Sequence, residues 1–409
     1  MSAKSNPGVG ALTQLQLIGP QEKLMYSDDP GATNPFSSST WPRATRGAIE
    51  QTEITFPFEL GKANKKQIPR RGDMLGNLAL SITLPIVPGA GINDFWTGRI
   101  GYVLLRKLRL TLNDAELDSS ERLLLTLQDE LFVSDMKRAG VLDMIGGTTP
   151  NLRLSQQHTI VVPLKFFNCF RDQQKQTFLP LISAGDTLDL VLEVETEKFE
   201  NCITSYAGSN PPTSLECELI TDYAFLDSFE RERLVNRPFP VLVESTQDVE
   251  GVSWKENNDV VSGVTIIPTD TVTIDMKEIN FPVKYLTFVA YSKDAVGNLA
   301  YFQFEDVIDR VSIVFDGTER EVENDAKHYS LVNRFYHARR AVSDRILFYS
   351  FAIDAYDAQP SGHFSFSNVI QPILKVKLKQ PRDDIIVKTF VSGLRWIDFE
   401  AGYAALRYT

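Results

Sequence analysis

Four histidines, three cysteines and an excess of carboxylates are the side chains of this 409-residue chain with the means to do chemistry. His158, His328, His337 and His363 stand in no metal-ligand spacing, neither as His-x-x-x-His nor beside a paired cysteine. His328 and His337 are nine residues apart, half a turn out of register on a helix. Cys169, Cys202 and Cys217 are odd in number and far apart, which fits a reducing compartment better than a disulfide framework. No Gly-x-Ser-x-Gly elbow occurs, and no phosphate-cradling glycine loop runs into Lys-Ser or Lys-Thr. Asp186 with Asp189 and Glu193 with Glu195 have the right groups for acid–base work, but they sit mainly on strand faces that water should reach. No catalytic residue, cofactor or metal is therefore expected.

Two motifs could instead bind a partner. Lys62, Lys65, Lys66, Arg70 and Arg71 form a local basic cluster, read here as a solvated loop. The chain carries 42 Lys and Arg against 53 Asp and Glu, a formal charge of −11, whereas phosphate neutralisation needs clustered cations. No direct nucleic-acid binding is expected. Arg71-Gly72-Asp73 spells the tripeptide that integrin ligands use. Its position before an alternating strand gives a plainer role, with Gly72 allowing a turn and Asp73 accepting bonds from nearby amides.

The elements that carry these residues are mostly strands, and they are written twice. Leu105, Leu108, Leu110 and Leu112 run into the turn pair Asn113-Asp114, an acidic segment and a helix-like stretch. Ile308, Val311, Ile313 and Phe315 do the same into Asp316-Gly317, at a constant offset of 203 that also puts Glu116 on Glu319. A repeat of that length is a duplicated domain, not a solenoid. Period-two alternation recurs in Ile54-Phe56-Phe58, Leu78-Leu80-Ile82-Leu84, Leu188-Leu190-Leu192-Val194, Val272-Ile274-Met276 and Leu374-Val376-Leu378. Such strands bury one face and wet the other, the habit of antiparallel sandwiches. Pro57 demotes the first of these runs to an edge or bulged strand.

Asp118 and Glu121 have capping-box spacing ahead of a stripe of Leu123, Leu124, Leu127 and Leu131, which predicts a helix with a core-facing side. Asn324 or Asp325 can cap a second helix with Tyr329, Val332 and Phe335 or Tyr336 on one side. Residues 1–48 read as an arm, residues 49–228 and 241–409 as two domains, and residues 229–240 as a charged, proline-stiffened linker. Each domain holds about eight strands, which predicts an all-β chain of two tandem eight-stranded jelly rolls with a few short helices. Met1 to Thr13 lacks an apolar core and no run approaches the length of a membrane span, so a soluble protein made in the cytosol is expected.

Several segments, in order along the chain, resemble those of one known family. Ile68-Pro69-Arg70-Arg71-Gly72-Asp73-Met74-Leu75 is similar to the family's lead-in to its C strand. Gly101 to Leu110 with Glu116-Leu117-Asp118 resembles the strand that passes into the family's helix. Val162-Pro163-Leu164-Lys165-Phe166-Phe167 and Leu179-Pro180-Leu181 match its Pro-Leu-x-Phe and Leu-Pro-Leu stretches. Gln359-Pro360-Ser361-Gly362 followed by Phe364-Ser365-Phe366 is the most specific match. His363 stands where asparagine is usual, and Val369-Ile370 replaces a charged pattern.

Together these segments resemble the double jelly-roll major capsid protein of large icosahedral double-stranded DNA viruses of the iridovirus and phycodnavirus type. The resemblance implies a homotrimer packed against neighbouring capsomers in the virion, made in the host cytoplasm. The arm would then lie over minor capsid proteins and an inner membrane. It marks Gly72, Asp73, Pro163, Pro180, Pro360, Ser361, Gly362 and Phe366 as structural motif positions. An assembly scaffold or minor shell protein of the same fold is an alternative. Tandem jelly rolls also occur in glycan-active proteins such as peptide N-glycosidases, whose carboxylates suffice for hydrolysis.

Overall fold

In the computed structural model the described residues run from 47 to 407, apart from 168, 170–177, 185–188, 207, 209, 237–238, 260–262, 295–300, 317, 340–344, 357–359, 367–368 and 401–402. The arm expected over 1–48 lies outside them except for its last two residues, which already belong to a strand. The first half supplies β1 (Gly47–Thr55), β2 (Ala63–Gln67), β3 (Met74–Leu84), β4 (Leu105–Leu112) and β5 (Ala115–Glu121). It continues with β6 (His158–Pro163), β7 (Leu179–Pro180), β8 (Leu190–Thr196) and β9 (Glu216–Leu226). Helices α1 (Ile100–Leu104), α2 (Arg122–Phe132) and α3 (Asp135–Met144) lie between strands, and α4 (Ser228–Asn236) follows the last one.

These strands form two antiparallel sheets, β1-β9-β3-β6 with β7 on β3, and β2-β8-β4-β5. Lettered B to I in chain order, with the two-residue β7 set aside, the sheets read B-I-D-G and C-H-E-F, the jelly-roll arrangement. The strand that follows Arg71-Gly72-Asp73 is thus the third of its roll, D, and not the C strand the motif suggested. β1 is an edge strand that stops before Pro57, because proline cannot donate to the ladder.

The second half repeats the plan. Its strands are β10 (Phe239–Val252), β11 (Trp254–Asp259), β12 (Gly263–Asp275), β13 (Pro282–Ser292), β14 (Ile308–Phe315) and β15 (Thr318–Asp325). β16 (Ile346–Ser350), β17 (Phe364–Ser365), β18 (Pro372–Arg382), β19 (Ile385–Glu400) and β20 (Tyr403–Leu406) complete it, with a π-helical turn His328–Val332 and α5 (Asn333–His337) after β15. The sheets run β10-β19-β13-β16 and β11-β12-β18-β14-β15, again B-I-D-G and C-H-E-F, with β11 as an added edge.

The 203-residue repeat survives at atomic detail. Leu112 pairs with Leu190 at the start of β8, and its counterpart Phe315 pairs with Pro372 at the start of β18. The turn residues Asn113 and Asp316 both take positive φ, 49° and 51°, a conformation that short polar side chains tolerate. Each also reaches the lead-in to the H strand. Asn113 Oδ1 accepts the Asp189 N–H at 3.0 Å, and Asp316 Oδ1 accepts the Gln371 N–H at 2.8 Å.

Several local expectations are corrected. Asp118 and Glu121 form no capping box, since α2 starts from extended Glu121 with no side-chain cap. Asp118 belongs to β5, where its carboxylate accepts the Phe167 N–H at 2.9 Å. The linker expected over 229–240 is largely the helix α4. Lys65 and Lys66 lie in strand β2 and not in a loop, with Lys65 paired to Glu193 at 3.2 Å. The second-half helix turns a different face inward. Its π turn adds a residue to the winding, so Tyr329, Ser330, Asn333 and Arg334 are buried while Val332, Phe335 and Tyr336 face outward.

Candidate assembly surfaces

The two rolls meet through α2, which the first roll extends onto the outer face of the second roll's B-I-D-G sheet. Leu123, Leu124, Leu127, Leu131 and Phe132 pack against Tyr285 and Val289 of β13, Ile346 and Phe348 of β16 and Phe390 of β19. The stripe expected to be core is therefore core, but of a seam between rolls. Phe132 is its knob, with ring centroids 5.6 Å from Tyr285, 6.3 Å from Phe348 and 5.1 Å from Tyr356. Each such side chain removed from water contributes roughly 1.5–3 kcal/mol.

A polar rim flanks this apolar seam. Lys388 of β19 sits 2.8 Å from Glu121 and 3.1 Å from Asp248. Burial pushes the Glu121 carboxyl up, against the pull of Lys388. Burial alone would lower Lys388, but its two carboxylate neighbours hold it above the ordinary lysine value. Further along, Arg122 pairs with Glu197 at 2.7 Å and lies 4.7 Å from the ring centroid of Tyr301 in the second half. Tyr301 in turn donates its hydroxyl to the Asn201 carbonyl at 2.9 Å. Burial would raise Glu197, yet bonds from Asn201, Arg122 and the Lys198 amide win and hold it below the usual range.

The motif positions lie among packed and hydrogen-bonded neighbours. Asp73 is 4% exposed; its carboxylate accepts the Leu226 N–H at 2.8 Å and meets Arg231 of α4 at 3.0 Å. Gly72 is needed for closeness more than for a turn, since a Cβ there would stand 2.8 Å from Tyr223 Cβ. Pro163 ends β6 opposite Ala79, and Pro180 in β7 pairs with Met74. Ser361 Oγ accepts the Asp354 N–H and donates to the Asp354 carbonyl, both at 3.0 Å, while Pro360 lies half-buried beside it. Gly362 has φ of 148° and would bring a Cβ within 2.8 Å of the Phe351 carbonyl oxygen. The loop so closed lets Phe364 stack on Phe315 at 4.6 Å, with Phe366 edge-on to Phe315 at 5.4 Å.

Among the described residues, which do not include Asp186, the groups with chemical potential do not converge. His158 and His337 each contact a backbone carbonyl, of Arg153 and Ile353, and His328 lies edge-on to Tyr329. All three cysteines are buried, and burial pushes the Cys217 thiol up to about 12. Glu193 and Glu195 both pair with Arg109. Among the described residues no three His, Cys, Asp or Glu side chains are grouped to hold a metal. Residue type alone could not have found the residues that matter most here, Lys388, Glu121, Arg122 and Tyr301. Each has a partner in the other roll.

Two family sequence models match the chain in tandem. Residues 36–227 match the one described as major capsid protein N-terminus, and residues 230–392 the one described as large eukaryotic DNA virus major capsid protein. The major capsid protein of Pyramimonas orientalis virus is 23% identical, over 98% of this chain and 99% of its own. That of Paramecium bursaria Chlorella virus 1 is also 23% identical, over 90% of this chain and 87% of its own. The fold superposes on PBCV-1 VP54, in a crystal structure fitted into a reconstruction of the virophage Sputnik. The TM-score is 0.74 at 19% identity, covering 92% of this chain and 100% of the other. Two rolls of one topology, written in tandem and matched in order along their length, place the chain in the double jelly-roll major capsid protein family of large eukaryotic DNA viruses.

Proposed function

We propose that the chain is the major coat subunit of an icosahedral double-stranded DNA virus, assembling as a homotrimeric capsomer of pseudo-hexagonal outline. The observation that carries this reading is the repeated B-I-D-G and C-H-E-F topology within one polypeptide. Three copies around a three-fold axis then present six similar sandwiches, and a six-sided tile is what a quasi-equivalent shell needs. The role is structural and not catalytic. The two rolls are the units expected over 49–228 and 241–409, the first begun by β1 at Gly47 and the second by β10 at Phe239, with α4 between them. The residues before β1 serve as an arm beneath the tile that faces minor capsid proteins or an inner membrane. Gly72, Asp73, Pro163, Pro180, Pro360, Ser361, Gly362 and Phe366 serve folding in this scheme. The subunit is made in the host cytoplasm and resides in the virion.

Native mass spectrometry with negative-stain microscopy tests this. A stable species of three times the chain mass with a hexagonal outline is expected, and a persistent monomer at high concentration refutes it. Removing residues 1–30 should leave that species intact and impair shell assembly.

A further inference from the structure

The offset of 203 that relates the two rolls carries Phe132, at the end of α2, onto Phe335 of α5. Phe132 is 7% exposed because the second roll's sheet covers it, whereas Phe335 is 74% and its neighbour Tyr336 70% exposed. Leu331 and Val332, one turn earlier, are exposed as well. The same aromatic position is thus docked in one roll and bare in the other.

The surface that would receive it is half-buried, in contrast to its fully covered counterpart in the second roll. In the second roll, Tyr285, Val289, Ile346, Phe348 and Phe390 on the outer face of the B-I-D-G sheet are all covered by α2. The corresponding face of the first roll carries Ala79 and Ser81 of β3, Val161 and Pro163 of β6 and Ile220 of β9, none of them fully buried. Ala79 stands opposite Pro163 and Ile220, so these residues form one patch. Its apolar side chains are smaller than the aromatic ones of the second roll, and Glu218 and Asp222 flank Ile220 on the same face of β9. A shallow sheet face therefore stands ready for large aromatic knobs. In the intrachain seam the sheet is bulky and the helix supplies mainly leucines.

Resting on the trimeric reading above, we infer that Phe335 and Tyr336 of one copy dock on the Ala79–Val161–Ile220 face of a second copy. This contact between chains repeats the seam that α2 makes within one chain. No single copy can satisfy it, because α2 already holds the second roll against the first.

The test is made on the full chain. Benzoylphenylalanine incorporated at position 335 and irradiated should cross-link two copies, with the adduct mapping to the β3, β6 or β9 peptides of the first roll. In parallel, Phe335→Asp with Tyr336→Asp, at exposed positions, should keep the circular dichroism of the unsubstituted chain and lose at least tenfold of its trimer population by native mass. Trimers that persist undiminished in the double variant, or adducts that map elsewhere, overturn the docking and leave the trimer standing. An unsubstituted chain that never exceeds one copy overturns the trimeric reading itself.

Discussion

Lys388 and Glu121 are 267 residues apart in the chain and 2.8 Å apart in space, a part-buried ion pair between the two rolls. Such a pair is weak evidence of stability as a whole, but removing one partner strands the other in a dry seam. Lys388→Ala should destabilise the protein by about 3–5 kcal/mol, measured by urea unfolding at neutral pH. Adding Glu121→Gln should recover part of that loss, since only the half-exposed Asp248 is then left without its lysine. Strict additivity of the two changes would show that the pair is not coupled.

The Glu197 carboxyl predicts a pH dependence. Its folded-state pKa lies below the ordinary glutamate value, so its contribution is present above that value and is lost as pH falls through the folded one. Glu197→Gln should therefore melt lower than the unsubstituted protein at pH 7, and the gap should close below about pH 4. A gap of constant size across a pH series of melting curves would contradict the ion pair's role.

Gly72 tests the motif around Asp73. Gly72→Ala must push Tyr223 or the β9 backbone aside, because the new Cβ would sit 2.8 Å from Tyr223 Cβ. A loss of about 1–3 kcal/mol is expected from such overpacking. The buried state of Asp73 also predicts that soluble integrin will not bind the folded protein; binding that survives purification of the folded form would count against it.

Phe366 closes the aromatic cluster below the Pro360-Ser361-Gly362 loop. Phe366→Ala should cost about 3–5 kcal/mol, as for other large aromatic truncations in a packed core. Near-neutral thermal unfolding of that variant would mean that the loop is held by its hydrogen bonds alone.

Much of this architecture could be read from residue order, for identifiable reasons. Asn113-Asp114 and Asp316-Gly317 are turn residues with little freedom to be anything else, so the repeat of the strands around them is visible at an offset of 203. Alternation in Leu78 to Leu84 names a strand face without any partner being known. Partners are another matter. The leucines of α2 announce burial but not that the burying surface is Tyr285 and Phe348, more than 150 residues away. Asp118 looked like a cap because spacing cannot distinguish the end of a strand from the start of a helix. Tyr329 was expected to share one side with Val332 and with Phe335 or Tyr336, because a π turn leaves no mark in the pattern of apolar residues.

The berth of α2 on the second sheet has a kinetic corollary. A contact made within one polypeptide forms at the effective concentration set by its own tether, and dilution cannot undo it. In a ring of six sandwiches, three of the six boundaries would then close during folding of each subunit. Only the other three would wait for encounter between molecules, so the concentration at which tiles appear would report on those three alone.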